Sequence, residues 1–143
     1  MENLYIEGSK GIYFIPTVNF NADTGVCELS GESYLEETIK FYTPLIQWLE
    51  RYFKEVKKPL TFNFKLTYFN TSSSKCIVDI LNLLKQQKDQ GYDITVNWYY
   101  DDSVEDIEDE LEEVEDFMLE TGLEINLIPM SQDKDNRNQK DEE

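Results

Sequence analysis

The sequence contains no histidine and only two cysteines, Cys27 and Cys76. Without histidine the chain cannot build the usual zinc sites, a serine–histidine–aspartate triad or a cysteine–histidine pair. The cysteines do not form a C-x-x-C pair, and Cys76 falls on an apolar helical face, which favours a role in packing. A hydroxyl nucleophile would need an activating base, and no sequence pattern supplies one. These absences argue against an enzyme and predict a domain without metal or cofactor.

Basic residues are scarce: 13 lysines and arginines stand against 30 acidic residues, giving a net charge of -17. Binding to nucleic acid or to anionic lipid requires basic patches, and none is visible. The N-terminus lacks the basic-then-apolar layout of a signal peptide, and no apolar run could span a bilayer. We therefore expect a cytoplasmic protein with free thiols, without nucleic-acid or membrane partners. A basic protein partner fits the charge, although acidity can also serve solubility alone.

Hydrophobic residues make up 40% of the 143 residues, and aromatic residues 13%. This composition supports a packed core, and the length predicts a single domain. From position 131 onward the chain is polar and charged without apolar periodicity. We expect one domain over residues 1–130 and a disordered acidic tail over residues 131–143.

Five segments have the composition or the period-two alternation of apolar and polar residues that marks β-strands. The clearest is Leu60–Thr67, in which every second residue is leucine or phenylalanine. The first two segments are separated by turn residues and predict a hairpin. The predicted strands are Gly11–Phe20 (with Pro16 at an edge or bulge), Val26–Ser30, Leu60–Thr67, Ile94–Tyr99 and Leu123–Pro129.

Apolar residues at three- and four-residue steps predict three helices between these strands. The first predicted helix is opened by a Ser33–Glu36 capping box and is kinked or split at Pro44. The second has an apolar pattern that begins at Cys76, and it stops near Gly91. The third is opened by Ser103–Asp106 and closed by Gly122. Helices between strands imply parallel pairing through crossovers. Because apolar and polar residues alternate within the strands, one face of the sheet should be exposed to solvent or only partly covered. The predicted fold is an α/β mixed sheet with an N-terminal hairpin and helices mainly on one face.

The third helical segment is strongly acidic. Twelve aspartates and glutamates lie between positions 101 and 120, without a lysine or arginine. Its apolar stripe is Val104, Ile107, Leu111, Val114 and Met118. The stripe predicts a helix and argues against a calcium loop, which needs a central glycine and non-helical backbone. The acidic face is either a solvated helix surface or a docking surface, and the sequence leaves both open.

The junction between the central strand and the second helix is Asn70-Thr71-Ser72-Ser73-Ser74-Lys75. Serine, threonine and asparagine are the residues that cap helix N-termini. A helix N-terminus also favours anions, so one hydroxyl could accept a phosphate or contact a ligand. We expect Thr71 at or just before the helix start with an accessible hydroxyl, and Ser72 or Ser73 as the cap.

Four segments resemble the SiaC-like family of bacterial regulatory phosphoproteins, which is similar in fold to the STAS-domain anti-sigma-factor antagonists. They are Gly31-Glu32-Ser33-Tyr34 with Glu36, Phe41-Tyr42-Thr43-Pro44-Leu45 with Trp48, Tyr68-Phe69-Asn70-Thr71-Ser72-Ser73 with Lys75, and Trp98-Tyr99-Tyr100-Asp101-Asp102. The resemblance covers residues 11 to about 128 and implies a STAS-like fold.

The resemblance also implies a non-enzymatic switch. Its partners would be a serine/threonine kinase of the anti-sigma type, a metal-dependent serine/threonine phosphatase and a diguanylate cyclase bound by the unphosphorylated form. By position in the motif, Thr71 is the phosphoacceptor, with Ser72 and Ser73 as alternates. Asn70, Ser72, Ser73 and Lys75 would contact partners. The competing hypothesis is a STAS-like domain that senses a small ligand or an anion at this turn.

Overall fold

The computed structural model describes residues 1–132, which form a six-stranded sheet, a separate two-stranded sheet and three helices. The strands are β1 (Leu4–Ile6), β2 (Ser9–Lys10), β3 (Phe14–Ile15), β4 (Thr17–Phe20), β5 (Val26–Ser33), β6 (Leu60–Phe69), β7 (Ile94–Tyr100) and β8 (Asn126–Pro129). The helices are α1 (Thr38–Glu55), α2 (Thr71–Asp89) and α3 (Ile107–Thr121).

The large sheet has the strand order β1-β4-β5-β6-β7-β8. Strands β5 to β8 are parallel, and β1, β4 and β5 pair antiparallel. Helix α1 contacts α2, and α2 contacts α3, so the three crossover helices lie side by side on one face. This confirms the mixed sheet, the N-terminal hairpin of β4 and β5, and the helices on one face.

The core lies between the helices and one face of β6. Leu60, Phe62, Phe64 and Leu66 are all buried, as their alternation predicts. The Phe64 ring stacks on Trp98 of β7 at a centroid distance of 4.9 Å. Burial of these large side chains, at roughly 25 cal/mol per Å² of apolar surface, holds the helical layer on the sheet.

Polar side chains occupy the opposite face of the sheet. The amide of Asn97 donates to Asn63 Oδ1 at 2.9 Å, and Asn126 donates to Asn97 Oδ1 at 3.0 Å. Lys65 pairs with Glu28 at 3.2 Å on the same face. Cross-strand pairs of this kind stabilise a sheet face that none of the described helices covers.

The first helix begins later than the capping box predicted. Ser33 is the last residue of β5 and is buried, α1 begins at Thr38, and its N-cap Glu37 makes no side-chain capping bond. The Ser33–Glu36 prediction was wrong because the Ser33 hydroxyl bonds to other side chains in the interior. Helix α1 also runs through Pro44 as one helix, so the predicted split does not occur.

Helix α3 begins at Ile107, after a turn in which Asp101 Oδ1 accepts bonds from the backbone and hydroxyl of Ser103. Ser103 is therefore a turn residue and not a cap. Of the predicted stripe, Val114 is buried, Val104 is exposed, and Ile107, Leu111 and Met118 are half-buried. Phe117, which we did not predict, is buried against Trp98 and Phe69.

Gly25 closes the turn between β4 and β5 with a φ of +73°, and an added Cβ would collide with Pro59 O and lie 2.7 Å from Tyr52 Oη. We expect Gly25→Ala to lower the free energy of unfolding by about 2–5 kcal/mol, from backbone strain plus overpacking. Gly91→Ala is the matched control, because Gly91 also has a positive φ but has no described atom within 4 Å of the added Cβ. Urea denaturation should show a clearly smaller loss for Gly91→Ala, and equal losses would contradict the steric argument.

The predicted disordered tail lies outside the described residues apart from Ser131 and Gln132. Ser131 is held to the β7–α3 turn, because its hydroxyl donates to Asp102 Oδ2 at 2.5 Å. Among the helices described, none is both long and apolar enough to cross a membrane.

Candidate functional site

The serine-rich junction lies where the carboxyl ends of β5 and β6 meet the N-termini of α1 and α2. The backbone N–H of Asn70 donates to the carbonyl of Ser33 at 3.1 Å and ties the end of β6 to the end of β5. Because β5 and β6 are parallel, both strands deliver their last residues to the same edge. Residues far apart in sequence therefore form one hydroxyl cluster.

Asn70 is the N-cap of α2. Its side-chain oxygen accepts the backbone N–H of Ser73 at 2.9 Å and the hydroxyl of Ser72 at 3.1 Å. Our expectation that Ser72 or Ser73 caps the helix was wrong. The asparagine caps because it precedes the first helical residue in an extended conformation, where its side chain reaches the free N–H groups.

Three buried hydroxyls form a chain behind the cap. Tyr42 Oη lies 2.7 Å from Ser33 Oγ, Ser33 Oγ lies 2.7 Å from Ser73 Oγ, and Ser73 Oγ donates to the Ser33 carbonyl at 3.1 Å. Each hydroxyl has one proton, so Ser73 uses its proton on the carbonyl, Ser33 donates to Ser73, and Tyr42 donates to Ser33. Desolvation by burial raises the pKa of Tyr42 to about 12, so the chain stays neutral at physiological pH.

The burial of Ser73 corrects two of its predicted roles. Its side chain is fully buried, so neither a kinase nor a binding partner can reach the hydroxyl in the folded protein. Ser72 is exposed, but its hydroxyl donates to Asn70 and lies 2.8 Å from Thr38 Oγ1 at the start of α1. Ser72 thus links the two helix N-termini.

Thr71 is the first residue of α2 and is exposed, as predicted. Within residues 1–132, its hydroxyl forms no hydrogen bond, and only its backbone carbonyl is used, by Ser74 Oγ at 2.7 Å. Lys75 follows one turn later, is exposed, and has no ion-pair partner in the described part of the chain. The junction thus presents one unengaged hydroxyl beside one unpaired cation.

Beside the junction, the ends of β6 and β7 and the start of α3 enclose a cavity of about 180 Å³. Its lining includes Thr67, Val104, Ile107 and Glu110. Desolvation, followed by repulsion from Glu113 and Asp101, raises the pKa of Glu110 to about 7. Glu110 is thus the half-buried exception on an acidic helix face whose other carboxylates are exposed.

We expect Glu110→Gln to stabilise the protein above about pH 7, on the order of 1 kcal/mol after allowance for solvent screening. The folded-state pKa lies above the ordinary value of 4.5, so the unfolded chain ionises first and stability falls as pH rises between these values. Below pH 4.5 both states are protonated and the variant should match the wild type. Urea denaturation at pH 4 and 8 tests this, with exposed Glu112→Gln as the control; a gain that does not depend on pH would contradict it.

Sequence reasoning missed Ser33, Thr38 and Tyr42 as members of this cluster. Ser33 contacts Ser73 across 40 positions and Thr38 contacts Ser72 across 34, so no local pattern predicts these bonds. Tyr42 joins the cluster through Ser33. The available signal was the presence of Ser33 and Tyr42 in the segments that carried the family resemblance.

Comparisons with known proteins agree with this architecture. The model of the SiaC family of regulatory phosphoproteins matches residues 6–130. An uncharacterized protein of Pseudomonas aeruginosa (strain UCBPP-PA14) is 32% identical over 101 residues, which make up 71% of this chain and 78% of that protein.

Two solved structures from the same organism are also similar to this chain. SiaC of Pseudomonas aeruginosa is 28% identical with a TM-score of 0.78, covering 90% of this chain and 99% of that chain. A chain from the complex of the diguanylate cyclase SiaD with its activator SiaC is 27% identical with a TM-score of 0.77, covering 88% and 98%. Since the family model spans nearly all of the described residues, the chain belongs to the SiaC family of regulatory phosphoproteins.

Proposed function

We propose that this protein is a phosphorylation-controlled regulator in the cytoplasm that has no catalytic activity of its own. In its unphosphorylated form it binds and activates a diguanylate cyclase. A serine/threonine kinase of the anti-sigma type phosphorylates Thr71, and a metal-dependent serine/threonine phosphatase removes the phosphate. The observation that carries the proposal is that the exposed Thr71 hydroxyl is unengaged while its neighbours Ser72 and Ser73 are bonded.

The position of Thr71 lets a phosphate be added without unfolding the domain. A phosphate adds roughly -1.5 to -2 charges, and the first turn of a helix stabilises negative charge. Lys75, one turn further along α2, can offset part of that charge. Because the Asn70 cap and the buried hydroxyls do not use the Thr71 side chain, they can persist after modification.

The downstream partner is proposed from the relative in complex with a diguanylate cyclase. A phosphate on an exposed surface changes its charge, bulk and hydration. A partner that covers this surface in the unphosphorylated state would have to desolvate the phosphate, and it would lose affinity.

The test compares two purified forms of the protein, one unmodified and one phosphorylated by the cognate kinase. Calorimetry should show that the unmodified form binds the cyclase at least tenfold more tightly, and cyclase assays should show activation by that form only. Phosphatase treatment should restore both. Equal binding and activation by the two forms would reject the switch.

A further inference from the structure

Exposed apolar side chains are concentrated around the serine-rich junction. Six of the eleven large hydrophobic residues that are exposed in the described chain lie on the β2–β3 hairpin, at the ends of β5 and β6 and at the start of α1. They define the apolar patch: Ile12, Tyr13, Ile15, Tyr34, Ile39 and Tyr68. Monomeric proteins rarely gather exposed apolar residues without a binding role.

The tyrosines join the tip of the β2–β3 hairpin to the end of β6. The Tyr34 ring lies 5.9 Å from the Tyr13 ring and 6.4 Å from the Tyr68 ring, measured between centroids. Tyr68 lies three positions before Thr71 along the chain. Rigid aromatic side chains provide contact area at low entropic cost and are enriched at protein interfaces.

Ile39, in the first turn of α1, extends the apolar patch to the α1 side of the junction. It follows Thr38, whose hydroxyl lies 2.8 Å from Ser72 Oγ, so the first turns of α1 and α2 are neighbours. Ile39 is 76% exposed and Ile12, at the hairpin tip, is 88% exposed. Apolar residues therefore flank Thr71 from both the strand side and the α1 side.

The charges at the border of the patch have both signs, because Lys10, Lys40 and Lys75 lie there as well as Glu32, Glu36 and Glu37. Glu37 is paired with Lys40 at 3.3 Å, whereas Glu32 and Glu36 form no ion pair with any described residue. A cavity of about 290 Å³ between the hairpin and α1 is lined by Tyr13 and Glu36 among others. Lys75, beside Thr71, likewise has no ion pair among the described residues. The surface thus combines apolar area with unpaired charges of both signs, which fits an apolar segment that presents a basic residue toward Glu36 and an acidic residue toward Lys75.

We infer that the apolar patch docks a segment of the diguanylate cyclase that presents large apolar side chains, with a lysine or arginine toward Glu36 and an acidic residue toward Lys75. This inference rests on the proposed function and specifies its contact surface. A phosphate on Thr71 would lie within the covered area, where an apolar partner surface cannot solvate it. The same patch therefore provides both the affinity and its sensitivity to phosphorylation.

The test measures cyclase affinity for unphosphorylated Ile12→Ser and Ile39→Ser proteins by calorimetry. We expect each to weaken binding at least tenfold. The controls are Leu119→Ser and Tyr5→Ser, which replace residues that are 83% and 64% exposed on α3 and β1. They should bind within twofold of the wild type, and circular dichroism should show all four variants folded.

Charge is tested separately. Glu36→Gln should slow association at low salt and reduce its salt dependence, whereas Glu112→Gln on α3 should not. Hydrogen exchange on the cyclase should show protection at an apolar segment that carries charges of both signs. Protection at a segment without large apolar side chains, or patch variants that bind like the wild type, would overturn the docking inference and leave the switch standing. Failure of the wild-type protein to bind the cyclase would overturn both.

Discussion

A Thr71→Ala protein will gain no phosphate from the cognate kinase, whereas the wild-type protein will gain one, as read by intact mass and site mapping. Thr71 is the exposed first residue of α2, and its hydroxyl is not held by a hydrogen bond to any described residue. The neighbouring Ser73 hydroxyl is fully buried, and the Ser72 hydroxyl is bonded to Asn70 and Thr38, so we expect neither to substitute as acceptor. The loss of modification should therefore be complete.

The same variant should keep its fold and its binding to the cyclase. An exposed substitution outside the cap changes the free energy of unfolding by only about 0.5 kcal/mol. Ser72→Ala is the matched control: it removes the bond to Thr38 and should cost about 1 kcal/mol, yet it should still be phosphorylated at Thr71. Phosphate on Ser72 in the wild type would move the site by one residue, and its absence from the whole Asn70–Lys75 segment would reject the mechanism.

The sheet could be predicted from the sequence because the polarity of each β6 side chain indicates whether it faces the core or the solvent. The alternation in Leu60–Thr67 requires one buried and one polar face, and that face assignment is what the structure has. The polar face is satisfied by the Asn63–Asn97–Asn126 bonds between strands. Strand identity follows from local chemistry, but these partners depend on register, which a single strand does not specify.

Helix starts were predicted less well because several residues can compete for the same capping bonds. Ser33 and Ser103 have capping-box spacing, yet one is buried in β5 and the other lies in the turn before α3. At α2, Asn70 caps in preference to the serines that follow it. Tertiary contacts and exact position decide among residues whose capping propensities are nearly equal.

The location of Thr71 could be predicted, because a strand pattern ends before it and a helical pattern follows. The absence of the Thr71 hydroxyl from the hydroxyl network could not be predicted. The network forms on Ser73 instead, because Ser33 and Tyr42 reach the junction from β5 and α1. The structure therefore separates an exposed hydroxyl from a buried one two residues away, a distinction that the run of four hydroxyl residues does not reveal.

Introducing a carboxylate tests this separation at both positions. Ser73→Asp is expected to lower the free energy of unfolding by at least about 3 kcal/mol, because it places an acid without a cationic partner among buried hydroxyls. Thr71→Asp should leave stability unchanged or raise it by up to about 1 kcal/mol, since the new charge is exposed near the positive end of the α2 dipole.

Urea denaturation at pH 7 and at pH 4 measures both effects. The Ser73→Asp penalty should shrink at pH 4, where protonation removes the cost of the buried charge but leaves that of the added volume. Ser73→Ala supplies the reference for losing the hydroxyl alone, at about 1–3 kcal/mol. If Ser73→Asp were as stable as Thr71→Asp at pH 7, Ser73 would be accessible and would compete with Thr71 as the phosphoacceptor. The expected result is that Ser73→Asp is less stable than Thr71→Asp and that Thr71→Asp binds the cyclase more weakly than the wild type does. This result would identify the exposed Thr71 as the position at which a phosphate reduces binding.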